Sequence, residues 1–91
     1  MATTFNARET IVMEHANAKG VLTAHRARAR VYVAALLGLT PSKLHDDDAF
    51  YWAISQPEVW ADKKVRIVLR AYDRAVGREK ALAAVLANYE L

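Results

Sequence analysis

From Ala61 onward the apolar residues return at Val65, Val68, Tyr72 and then Ala75 or Val76. Steps of three and four residues place these side chains on one stripe of an α-helix, which must be covered by other elements to be stable. No segment shows the strict alternation of a half-buried strand, so the chain is expected to be all-α. With 91 residues it has room for one domain. The expected architecture is a compact bundle of four to six short-to-medium helices over residues 1–91, with residues 1–5 as a flexible start.

Punctuation divides the chain into these helices. Asn6 followed by Glu9 has the spacing of a capping box and should start the first helix. Ile11, His15, Ala18 and Leu22 continue at helical spacing; Gly20 either breaks or kinks that run, the favoured reading, or lies inside one long helix at a cost of about 1 kcal/mol relative to alanine. A second helix is expected over Ala24 to Leu37, stopped by Gly38. Thr40-Pro41 restarts the chain as an N-cap with proline in the first helical position, opening a short helix that ends near His45. Asp46, Asp47 and Asp48 should cap a helix carrying Phe50, Tyr51 and Trp52. Pro57 opens a long helix that Gly77 should stop, and a last helix should bury Leu82, Val85 and Leu86, with Tyr89 on its packed face.

Composition excludes several classes of function. There is no cysteine, which removes disulfides and thiolate metal sites and fits a reducing compartment such as the cytoplasm. The longest apolar run, Val31 to Leu37, falls far short of the roughly 20 residues of a membrane span, and no signal peptide is visible. His15, His25 and His45 are far apart and have no ligand-spaced partner, so no metal or other cofactor is expected. The nucleophile elbow, the phosphate-binding glycine loop and the metalloprotease motif are all missing, and Glu14-His15 splays apart on a helix, so no catalytic residues are assigned. Alanine-rich composition with arginine exceeding lysine is the usage of a GC-rich genome, bacterial or phage.

Net charge is only +3, but it is unevenly spread. Residues 1–38 carry five basic against two acidic side chains, residues 39–62 one against five, and residues 63–91 seven against three. Basic ends flanking an acidic middle favour complementary partners or self-association. The aromatic group Phe50, Tyr51, Trp52 and Trp60 adds to this, because consecutive aromatics point around a helix and cannot all enter one core. Tyr51, Trp52 and Trp60, with Asp46, Asp47 and Asp48, are therefore the candidate protein-binding residues.

Nucleic acid is the alternative partner. Lys63, Arg66, Arg70 and Arg74 share one helix face that could contact phosphates, although Asp62 with Arg66 and Asp73 with Arg70 are spaced to pair. In the Arg26-Ala27-Arg28-Ala29-Arg30 run, Arg26 and Arg30 align while Arg28 points almost opposite. Ala34, Gly38 and Leu44 have the small–glycine–apolar spacing of a helix-turn-helix corner, whose second helix would offer Lys43 before meeting three aspartates. Carboxylates there repel phosphate, so a purely structural corner is the favoured reading. A non-catalytic helical module that acts by protein contact is the leading expectation, and a small nucleic-acid-binding protein the second.

Overall fold

The computed structural model describes residues 7–89. Four α-helices and one 3₁₀ turn account for nearly all of them, and no strand occurs among the described residues. Helix α1 spans Ala7–Leu37, the 3₁₀ turn Pro41–Leu44, α2 Asp47–Ile54, α3 Pro57–Ala61 and α4 Lys63–Tyr89. The capping pattern that begins at Asn6 lies outside the described residues.

The two long helices run antiparallel. His15 near the start of α1 meets Glu79 near the end of α4, while Arg28 and Tyr32 lie beside Lys64 and Ile67. Helix α1 has 31 residues and so runs about 46 Å. Gly20 neither breaks nor stops it, and Gly77 likewise lies inside α4. Both glycines are exposed on the outer side of their helices. A glycine costs about 1 kcal/mol in a helix interior, less than the packing gained along a continuous antiparallel partner.

Gly38 does end α1, with φ of 72°. The Leu39 amide donates to the Ala34 carbonyl at 2.8 Å and the Gly38 amide to the Ala35 carbonyl at 3.3 Å, the paired bonds of a Schellman motif. An unexpected boundary falls after Ala61. Asp62 leaves the helical region at ψ 123°, and its Oδ1 accepts the Val65 amide at 3.0 Å, capping α4. The long helix expected from Pro57 is thus two helices, and Ala61, expected on the core stripe, is exposed. Asp46 stands at the start of α2, but its side chain makes no capping hydrogen bond; its carbonyl accepts the Phe50 amide at 3.0 Å.

The core gathers at one end. Ala29, Val33, Leu44, Phe50, Ala53 and Val59 are buried there against Val65, Val68, Leu69 and Tyr72. The 3₁₀ turn, α2 and α3 close over the α1–α4 seam at this end, and Phe50 meets Tyr72 edge to face at 5.4 Å. Beyond it, among the described elements, α1 and α4 pack on each other. In that two-helix arm Ala18 is buried, Leu82 and Leu86 are half-buried, and Val85 and Tyr89 are exposed. The expected burial of Leu82, Val85 and Leu86 fails because, among the described residues, no third element covers the arm. The molecule measures 57 × 26 × 22 Å, with a radius of gyration of 16.6 Å. A compact chain of this length would give about 12 Å, so compactness is confined to the core end.

Candidate functional site

Helix α2 is short and amphipathic. Its inward side carries Phe50 and Ala53, both fully buried. Trp52 points away and is 55% exposed, while Tyr51, 52% exposed, lies along the edge of the core beside Phe50 and the Arg26 guanidinium. Their backbone is well held. The Trp52 carbonyl accepts the Ser55 amide at 3.2 Å, the Ser55 hydroxyl at 2.6 Å and the Gln56 side-chain amide at 3.0 Å. Asp46, Asp47 and Asp48 are all exposed at the start of the same helix. Two aromatic rings flanked by three carboxylates thus stand on a fixed element rather than on a loop.

Trp60 does not join them. It is half-buried, and its Nε1 donates to the Ile54 carbonyl, which ties α3 to the end of α2. Asp47 is engaged but remains at the surface: Arg26 Nη2 donates to its Oδ1, while the aspartate side chain stays 69% exposed.

Three of the expected nucleic-acid-binding residues serve inside the fold. The Arg26 guanidinium lies 4.9 Å from the Phe50 ring centroid and 5.9 Å from that of Tyr51. Arg30 Nε donates to the Leu44 carbonyl at 3.2 Å, fastening the 3₁₀ turn to α1. Arg66 donates to the Trp60 carbonyl at 3.0 Å instead of pairing with Asp62, whose carboxylate caps α4. The pairing expected between Asp73 and Arg70 is not formed either; among the described residues Arg26 pairs with Asp47, and His15 Nε2 and Glu79 Oε2 are 2.9 Å apart in a hydrogen bond. Lys43, Lys63, Arg70 and Arg74 are exposed. Lys43 sits on a four-residue 3₁₀ turn, too short to serve as a recognition helix, so the Ala34–Gly38–Leu44 spacing marks a structural corner. Ala34 and Leu44 are buried on its two sides.

The fold also assembles a second surface. On the flank of the α1–α4 seam that carries no short helix, Arg28, Tyr32, Lys64, Ile67 and Val68 line one shallow depression. Val21, His25, Ala71, Arg74, Ala75 and Arg78 line the next. Helix geometry separates this flank from the aromatic one: Val21, His25, Arg28 and Tyr32 share one side of α1, Arg26 and Arg30 another. Arg28 lies over the Tyr32 ring at 5.6 Å. Among the described residues none of Arg28, Lys64, Arg74 and Arg78 has a carboxylate partner. The sequence pattern brought out only Arg74 of these four, because the grouping depends on the register between two helices distant in the chain.

No group of three or more potential metal ligands occurs among the described residues. No described helix is long and apolar enough to cross a membrane. Comparison of the chain with protein-family models, curated proteins and solved structures finds no match.

Proposed function

We propose that this chain is a non-catalytic helical interaction module that recognises another protein through the surface of α2. The observation that carries this reading is the exposed pair Tyr51 and Trp52 on a helix whose opposite side is locked into the core. Large rigid aromatics left in water on an ordered element are the side chains that anchor protein interfaces, because their burial on binding costs little conformational freedom. The flanking Asp46 and Asp48 add a negative rim that steers a basic partner towards the rings. A cysteine-free chain of this kind fits a reducing compartment such as the cytoplasm.

The test is affinity capture from the source cell by wild-type protein and by Trp52→Ser, which changes an exposed side chain and should leave the helical circular dichroism intact. Capture of a defined partner by wild type and its loss with Trp52→Ser is the expected result. Equal capture by both proteins would remove α2 from the interface.

Nucleic acid remains the second reading, favoured by one observation: Arg28, Lys64, Arg74 and Arg78 gather on one flank without carboxylate partners. On that reading duplex DNA binding would weaken steeply with salt, and Arg74→Gln with Arg78→Gln would reduce the salt slope by about two, nearly one per lost phosphate contact.

A further inference from the structure

We infer that the two surfaces are complementary halves of one contact, and that the occupant of the α1–α4 groove is the α2 surface of a second copy of this chain. This inference rests on the proposed role of α2 and names its partner.

The groove and the α2 surface match in chemistry. The groove comprises the two neighbouring depressions; Arg28, Lys64, Arg74 and Arg78 border it, and Tyr32, Val68, Ala71 and Ala75 line it with His25, with Val21 and Ile67 exposed. The α2 surface presents Asp46 and Asp48 on its rim, with Tyr51 and Trp52 exposed beside them. Each has an apolar centre and a charged border, and the borders are of opposite sign, so docking covers the apolar groups while the charges stay at the wetter edge. A surface made only for phosphate would not need an apolar floor. Within one chain the two cannot meet, because they lie on opposite flanks of the same helix pair. Between copies they can, and the contact is then head to tail rather than two-fold symmetric. Every chain that donates its α2 surface still has an open groove, so assembly continues past the dimer unless the rotation closes a ring.

That asymmetry gives the test. Trp52→Ser removes the aromatic anchor and keeps the groove. Arg74→Glu with Arg78→Glu reverses the groove and keeps the aromatic surface. Both sets of positions are exposed on helices, and circular dichroism checks that each protein is folded. Light scattering is then read on each protein and on their mixture. Wild type should exceed the 10.2 kDa chain mass progressively with concentration, and salt should reverse the growth. Each variant alone should stay a monomer. Their equimolar mixture should form a dimer and stop there, since one good groove meets one good aromatic surface. Wild type that stays monomeric up to millimolar concentration overturns the inference, as does assembly that survives both sets of substitutions. A monomeric wild type that captures a different protein through Trp52 overturns self-recognition and leaves the interaction-module reading standing. Monomeric wild type whose DNA binding is lost with Arg74→Glu and Arg78→Glu assigns the groove to nucleic acid instead.

Discussion

Phe50 and Tyr72 meet edge to face, with ring centroids 5.4 Å apart and planes at 82°. This contact joins α2 to the middle of α4, and it sets which side of α2 faces water. Phe50 is fully buried, so Phe50→Ala should cost about 3–5 kcal/mol. A domain of this size has roughly 5 kcal/mol to lose, so the variant should retain no more than about 2 kcal/mol and melt far below wild type. Leu86→Ala should behave differently. Leu86 lies half-exposed in the two-helix arm and should cost less than about 2 kcal/mol, below the range for a closed core. Urea midpoints of the two variants should therefore be well separated, and equal midpoints would mean that the arm is covered.

Alkaline titration probes the same contact. Burial first, and then the neighbouring Tyr51, hold the Tyr72 phenol above its ordinary value of 10.0. The folded state keeps this proton when the unfolded chain has released it. The contribution to stability is therefore complete below pH 10.0 and is lost as pH rises through the folded value. Tyr72→Phe should flatten the fall in urea midpoint on the alkaline side, whereas an unchanged slope would place its origin elsewhere.

The three glycines should respond with different signs. Gly20 and Gly77 are helical, and a Cβ at either would meet open space. Replacing either with alanine should stabilise the protein by about 0.5–1 kcal/mol. Gly38 has space too, but its φ of 72° strains any L side chain, so Gly38→Ala should cost about 1–2 kcal/mol. Thermal melts of the three variants check the pattern.

Arg26 should matter for folding more than its place in a basic run suggests. Its guanidinium stacks on Phe50 and pairs with Asp47, so Arg26→Gln should cost about 1–2 kcal/mol. Arg70 is exposed on the outer side of α4, and Arg70→Gln should stay within about 0.5 kcal/mol of wild type. Denaturation of the two in parallel would contradict this if the losses were equal.

These contrasts show how much the chain discloses before it folds. Helical periodicity identified Val65, Val68 and Tyr72 as core and Gly38 as a stop, because each depends on local geometry. Arg26, Arg30 and Arg66 looked like surface charges, since nothing in their own helices reveals which ring or carbonyl crosses over them. Asp62 carries neither glycine nor proline to mark the break it makes; its role emerges only when its carboxylate caps Val65. Gly20 and Gly77 carry the local signature of a boundary, but packing along the partner helix outweighs a cost of about 1 kcal/mol at each. For Tyr51 and Trp52, crowding in sequence required that not all the aromatics be buried. Which ones stay out follows from Phe50 finding Tyr72.

Docking of α2 onto a second copy of the chain is tested most directly by the fluorescence of Trp52 alone, in a Trp60→Phe background that gives up one hydrogen bond to the Ile54 carbonyl. In dilute solution Trp52, 55% exposed, should emit at long wavelength and be freely quenched by acrylamide. As chain concentration rises its emission should shift to shorter wavelength and quenching should fall. Salt should reverse both changes, because the charged border between copies is screened. Emission and quenching that stay constant up to millimolar chain concentration would contradict burial of Trp52 between copies of the chain.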